Sequence, residues 1–165
     1  MKMMDTTIYN LGCSFKTHVS PIDIINKQLN PGGKKVTNLA SPWLSLDGVL
    51  RRLYTTNFET DSLLFIGLPL SNRFQGINLV EQLIFHSWFT ILLIQKRLQE
   101  LNLNHYLYNS VYGHMQHNAD MLQLKKLKSE ISLHNYFQPN HGIKDLVDTD
   151  YVLWCKKFIK FIKEK

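Results

Sequence analysis

The chain has 165 residues, of which 44% are hydrophobic and 19% are charged. That composition is typical of a globular protein with a full core, and it excludes an intrinsically disordered one. The two cysteines, Cys13 and Cys155, stand near opposite ends of the sequence, which disfavours a disulfide framework or a cysteine-rich zinc site. We therefore expect a single domain over residues 1–165 in a reducing compartment, the cytoplasm.

The formal net charge is +6, and much of the excess lies in the last segment of the chain. There, apolar residues follow helical spacing from position 151 to 162, and lysines take the positions between them. This pattern predicts a terminal helix with one core-packed face and one solvated basic face, which disfavours nucleic acid as a partner. Residues 1–10 lack the apolar stretch of a signal peptide, and the apolar run 83–94 is too short to span a bilayer, so no membrane partner is expected.

Strand and helix patterns alternate along the chain. Apolar, β-branched and aromatic stretches predict strands at 6–11, 35–39, 62–66 and 105–111. Helical spacing predicts helices at about 22–29, at 46–53 after an N-cap at Ser45, at about 78–101, at about 120–131 and at the end of the chain. The alternation predicts a three-layer α/β/α sandwich around a parallel sheet of about four to five strands. In such sheets ligands bind at the carboxyl ends of the strands, so a site is expected in the loops that follow them.

The first of these loops, Gly12-Cys13-Ser14-Phe15, holds a candidate nucleophile. A glycine lets the backbone turn sharply off the strand, and a serine two residues later lies at the edge of the sheet. There its hydroxyl can attack and its amide can donate to an oxyanion. The alternative for Ser14 is a structural cap of the next segment. Cys13 is a second possible nucleophile, for which a small buried side chain is the alternative.

Two later loops extend this first block. Asn-Leu-Ala-Ser-Pro-Trp-Leu-Ser occupies residues 38–45, paired arginines stand at 51–52, and residues 67–73 run from a glycine to an arginine. In this order and spacing the three blocks resemble the SGNH (GDSL-like) hydrolase superfamily, particularly its compact members from phages and environmental bacteria. The resemblance covers roughly residues 6–75. It implies the flavodoxin-like SGNH hydrolase fold and a serine hydrolase that acts on acyl esters, by hydrolysis or acyl transfer.

The resemblance also assigns roles to individual residues. Ser14 would be the nucleophile, and its own N–H one oxyanion donor. Trp43 stands where the family has a glycine whose N–H is a second donor, and Ser71 or Asn72 would supply a side-chain donor after the third strand. Arg73 would meet an anionic substrate group, or else brace its own loop against a carboxylate. The substrate implied is a small-molecule or glycan acyl ester, and no cofactor or metal is expected.

The histidine that should activate the serine is absent from its expected place. The family carries Asp-x-x-His or Asp-x-His-Pro just before the terminal helix, whereas residues 145–152 here contain three aspartates and no histidine. His141, in the turn upstream, is the candidate base, with Asp145 as its carboxylate partner. Asp148 and Asp150 are alternative partners, His134 is an alternative base, and a solvent-facing loop histidine is the alternative role for His141.

Two further observations bear on function. His114 and His117 form His-x-x-His after the fourth predicted strand, but without carboxylate or cysteine partners at ligand spacing they are weak evidence for a metal. Trp43 replaces the family's glycine, and Leu46 replaces its neighbouring asparagine. Together with the missing histidine, these departures keep open a second function: an SGNH-fold protein that has lost catalysis and serves as a binding or interaction module.

Overall fold

The computed structural model of the protein describes residues 7–12, 21–29, 36–41, 44–69, 80–109, 126–127, 129–137 and 148–165. Within these ranges there are five strands: β1 (Ile8–Gly12), β2 (Val36–Asn38), β3 (Leu63–Leu68), β4 (Asn104–Asn109) and β5 (Tyr136–Phe137). The same ranges contain four helices: α1 (Pro21–Leu29), α2 (Leu46–Thr55), α3 (Val80–Leu101) and α4 (Asp148–Lys163).

The five strands form one sheet in which every neighbouring pair is parallel, in the order β2-β1-β3-β4-β5. This is the flavodoxin-like order of a doubly wound sheet, in which the direction of winding reverses between β1 and β3. All six residues of β3 are buried, as expected for a central strand that is covered on both faces.

Two hydrophobic clusters show how the helices cover the sheet. On one face, α2 and α3 pack against alternate strand residues, and the cluster includes Tyr9, Leu11, Leu46, Val49, Leu64, Ile66, Ile91 and Leu107. On the other, α1 and α4 pack against the remaining strand residues, and the cluster includes Ile8, Ile25, Phe65, Tyr106, Tyr108, Trp154 and Phe158. The predicted three-layer α/β/α sandwich with a parallel sheet of about four to five strands is therefore confirmed.

The pattern in the terminal segment gives α4 the faces that its spacing predicts. Trp154, Cys155, Phe158, Ile159 and Ile162 are buried, and Cys155 and Phe158 have no exposed surface. The lysines at 156, 157, 160 and 163 are exposed. Each large apolar side chain buried in this way stabilises the fold by about 1.5–3 kcal/mol.

Local signals set the ends of two helices. The Ser45 hydroxyl accepts a hydrogen bond from the N–H of Gly48 at 3.2 Å, so the predicted N-cap of α2 is confirmed. After α3, Asn102 has a φ of 49° and donates its N–H to the carbonyl of Leu98 at 3.1 Å. An asparagine tolerates this left-handed conformation and ends the helix there.

The edge strand β5 was not predicted, because two residues are too few to show an alternating pattern. Two hydrogen bonds join β4 to Asn135, the residue before β5: the N–H of Leu107 donates to the carbonyl of Asn135 at 2.9 Å, and the side-chain Nδ2 of Asn135 donates to the carbonyl of His105 at 3.0 Å. Of the helix predicted at about 120–131, residues 126, 127 and 129 are helical, and Ile131 lies beyond its end. None of the helices in the described part of the chain combines the length and the apolarity that crossing a membrane requires.

Candidate active site

The carboxyl ends of β1 and β3 meet at two glycines, Gly12 and Gly67, which are register partners. They lie where the winding of the sheet reverses, which is the place where sheets of this order form a ligand crevice. Gly12 has a φ of +121°, which residues with a side chain rarely adopt. A Cβ at Gly12 would lie 2.9 Å from the carbonyl carbon of Gly67 and closer still to its oxygen. Because that neighbour is backbone and cannot rotate away, this close approach of the two strands requires glycine.

The chain that follows β2 is attached to the same edge. The N–H of Leu39 donates to the carbonyl of Asn10 at 2.8 Å, and the N–H of Ser41 donates to the carbonyl of Gly12 at 3.2 Å. From α2, Arg52 donates through Nη2 to the hydroxyl of Ser41 at 3.1 Å. The second sequence block is thus held directly beside the end of β1.

A pair of asparagines lies beneath this attachment. The Asn38 Oδ1 accepts from the N–H of Ala40 at 3.0 Å and from the Asn10 Nδ2 at 3.2 Å, and the backbone donor fixes which atom of each amide is oxygen. Asn10 is 5% exposed, and its Oδ1 has no hydrogen-bond partner among the described residues. The same is true of the buried Arg52 Nη1. A buried polar group without a partner costs about 1–3 kcal/mol, and two of the three side-chain atoms of this kind in the described part of the chain are these atoms of Asn10 and Arg52.

Tyr108 of β4 lies over Gly67, its register partner, on the face that α1 and α4 cover. A Cβ on Gly67 would lie 2.8 Å from the Cε2 of Tyr108, and 2.9 Å from both its Cζ and its hydroxyl oxygen. The missing side chain therefore admits the phenol. Trp154 and Phe158 pack edge-on against the ring, with centroid distances of 5.5 and 5.4 Å. The Tyr108 hydroxyl is thus held against the backbone of β3 at the carboxyl edge.

The topology brings the connections that carry the predicted residues to this same edge. Segment 13–20 joins β1 to α1, and segment 138–147 leads from β5 to α4. Residues 42–43 lie between β2 and α2, and segment 70–79 joins β3 to α3. Since the strands are parallel, all four connections leave from the carboxyl edge.

The predicted site residues themselves lie in these connections, outside the described residues, and their roles stay predictions. They are Ser14, Trp43, Ser71, Asn72, Arg73, His141 and Asp145. Cys13, His114 and His117 also lie outside the described residues. Of the alternative carboxylates, Asp148 and Asp150 belong to the first turn of α4.

His134 precedes β5, so it lies at the amino edge of the sheet, opposite the glycine pair. The pKa of His105, in β4, is lowered mainly by burial, and an electrostatic interaction with His134 lowers it further. A hydrogen bond from the His105 Nδ1 to the carbonyl of Leu103, at 3.0 Å, partly opposes this shift of the pKa. The position of His134 does not support it as the base for a nucleophile at the carboxyl edge.

A histidine–carboxylate contact that the sequence did not reveal links α2 to α3. The His86 Nε2 lies 3.3 Å from the Asp47 Oδ2, and the Thr90 hydroxyl lies 3.3 Å from the Asp47 Oδ1. The His86 and Asp47 side chains are 46% and 40% exposed, so this contact contributes at most about 1 kcal/mol. Because the contact joins two adjacent helices, it helps to hold α2 and α3 together.

Sequence patterns also missed Tyr108 and the bond between Arg52 and Ser41. Part of the signal for Tyr108 was present, because alternation places Tyr106 and Tyr108 on one face of the strand. The strand was predicted to run to residue 111, whereas β4 ends at Asn109, which brings Tyr108 to its carboxyl end. No local signal indicates the bond from Arg52, since the guanidinium reaches back across a turn of chain to a side chain eleven positions earlier.

In the described part of the chain, no group of three or more histidine, cysteine, aspartate or glutamate side chains is arranged to hold a metal ion. No family model matches the chain, and no curated protein matches it.

Proposed function

We propose that this protein is a serine hydrolase of acyl esters, similar to SGNH hydrolases, with Ser14 as its nucleophile. The observation that carries the proposal is the meeting of the three sequence blocks at one edge. Gly12 of the first block is the register partner of Gly67 of the third. Ser41 of the second block donates its N–H to the carbonyl of Gly12. Blocks that are distant in sequence and adjacent in the fold support a common site.

The geometry of β1 suits a nucleophile that follows it by two residues. Gly12 is the last residue of β1, and its φ of +121° suits a sharp turn at the reversal point. Backbone N–H groups beyond the end of a strand are not needed for strand pairing and can donate to a developing negative charge. The amides of Ser14 and Trp43 are the donors that the resemblance implies.

The proposed reaction proceeds in two halves. The Ser14 Oγ attacks the acyl carbonyl carbon, a base accepts the hydroxyl proton, and the carbonyl π electrons move onto oxygen to give the oxyanion. Collapse of this intermediate expels the alcohol, which takes the proton from the base. Water then attacks the acyl-enzyme in the same way, which releases the carboxylic acid and restores Ser14. His141, oriented by Asp145, is the proposed base.

A binding module without catalysis is the second candidate. It is favoured by Trp43 in the place of a glycine, since an indole would crowd an oxyanion site that is built around a missing Cβ. The three aspartates in 145–152, without a histidine among them, favour it as well. On this alternative the same edge of the sheet would hold a ligand and release it unchanged.

Hydrolysis of p-nitrophenyl esters of short acyl chains separates the two candidates. We expect turnover by the wild-type protein, covalent labelling of Ser14 by a fluorophosphonate, and a loss of at least about 10³-fold in kcat in Ser14→Ala. Ser132→Ala is the matched control, because Ser132 is exposed and lies near the amino edge, before β5. It should keep the wild-type rate. A wild-type protein that neither hydrolyses the esters nor takes the label at Ser14 would contradict the proposal and leave the binding module.

A further inference from the structure

The proposed site has two backbone N–H donors for the oxyanion, and the resemblance offers two alternatives for a third donor, which would be a side chain. Ser71 and Asn72 are the candidates from the resemblance. The described residues offer another hydroxyl at this edge, that of Tyr108, which lies 2.9 Å from the place that a Cβ on Gly67 would take. We propose that the Tyr108 hydroxyl donates a hydrogen bond to the oxyanion of the acyl-transfer reaction. The inference rests on the proposed function.

The face of the sheet supports this role. Alternation places Asn10, Gly12, Gly67 and Tyr108 on the side that α1 and α4 cover, since their neighbours on the same strands belong to the opposite cluster. At the level of the two glycines, β1 and β3 project no side chain from this face. The Tyr108 phenol extends into this gap from β4 toward β1.

The connections that carry the proposed nucleophile and base lead to helices on the same face. Segment 13–20, with Ser14, leads to α1, and segment 138–147, with His141, leads to α4. Both helices belong to the layer in which Tyr108 is packed. The hydroxyl therefore stands at the carboxyl edge of the sheet and in the layer to which these two connections lead.

The chemistry and the rigidity of Tyr108 fit an oxyanion donor. A phenol is a neutral O–H donor at pH 7, and its hydrogen bond strengthens when the acceptor gains negative charge. Tyr108 is 7% exposed, so such a bond would form in surroundings that hold little water. The contacts of its ring with Trp154 and Phe158 hold the hydroxyl in place before the reaction, so little reorganisation would be needed.

Tyr108→Phe removes the hydroxyl and keeps the ring. With p-nitrophenyl acetate we expect kcat to fall by about 10²–10³-fold with KM within about twofold, because the lost bond forms only in the transition state. Fluorophosphonate labelling of Ser14 should slow by a similar factor. Tyr106→Phe is the matched control: Tyr106 lies two residues earlier on the same strand and face, and its hydroxyl donates to the carbonyl of Ile162 at 3.4 Å. It should keep kcat within about twofold.

The outcomes distinguish the role of Tyr108 from the hydrolase activity on which it rests. A Tyr108→Phe variant with wild-type kcat, alongside an inactive Ser14→Ala, overturns the role of Tyr108 and leaves the hydrolase intact. A rise in KM alone, or equal losses in both tyrosine variants, also overturns it, since these results indicate ground-state binding or packing. If the wild-type protein shows neither turnover nor labelling, both proposals fail. A selective fall in kcat supports both.

Discussion

Replacing Gly12 with alanine tests the contact between β1 and β3 at the proposed site. The new Cβ would lie 2.9 Å from the carbonyl carbon of Gly67, and the φ of +121° would have to change. Backbone strain at such a residue costs about 1–3 kcal/mol, and relief of the overlap by moving packed strands costs about 1–3 kcal/mol more. We therefore expect Gly12→Ala to lower the free energy of unfolding by about 4 kcal/mol, which for a domain of this size lowers Tm by about 8–16 °C.

Urea unfolding, followed by the fluorescence of the buried Trp88 and Trp154, measures this loss. Gly48→Ala in α2 is the matched control, since its Cβ would meet side-chain atoms and no backbone: it would lie 2.9 Å from the Leu44 Cγ, closer still to one of the Leu44 methyl groups, and 3.7 Å from the Ser45 Oγ. Alanine also gains about 1 kcal/mol of helix propensity there, so we expect a stability within about 1 kcal/mol of the wild type. If Gly12→Ala is no more destabilising than Gly48→Ala, the close contact between the two glycines does not constrain the edge.

Two further predictions concern other described residues. Because burial lowers the pKa of His105, the unfolded chain, with a pKa near 6.5, takes up the proton first as the pH falls. This contribution to stability is complete above about pH 6.5 and is lost below it. When the pH is lowered from about 7.5 to 5.5, the urea midpoint of His105→Gln should therefore fall less than that of the wild type. Equal falls in the two proteins would refute this. Ser41→Ala leaves the Arg52 Nη2 without its acceptor and should cost about 1.5–3 kcal/mol of unfolding free energy, whereas an unchanged midpoint would show that water replaces the hydroxyl.

Short-range patterns were sufficient to predict the layers of this protein. The spacing of apolar residues in α4 indicates which face is buried, and Ser45 marks the start of α2, because both depend on residues within a few positions of one another. Alternating strand and helix patterns then leave few arrangements other than a parallel sheet covered on both sides. The glycine at the end of β1 was likewise predicted, since a sharp turn off a strand favours glycine.

Which residues come together at the carboxyl edge of the sheet depended on the tertiary structure. Strand order and register decide three features of this edge: Gly12 lies opposite Gly67, Tyr108 fills the space over Gly67, and β5 is added beside β4. Register is set by packing between segments distant in sequence, and a shift of one residue would turn Tyr108 to the other face. The residues themselves thus determined a parallel α/β sandwich with a candidate serine after its first strand. Only the packed sheet decided that the backbone of Gly67 lies beside the end of that strand and that the Tyr108 hydroxyl lies over Gly67, because long-range contacts leave no mark in a local pattern.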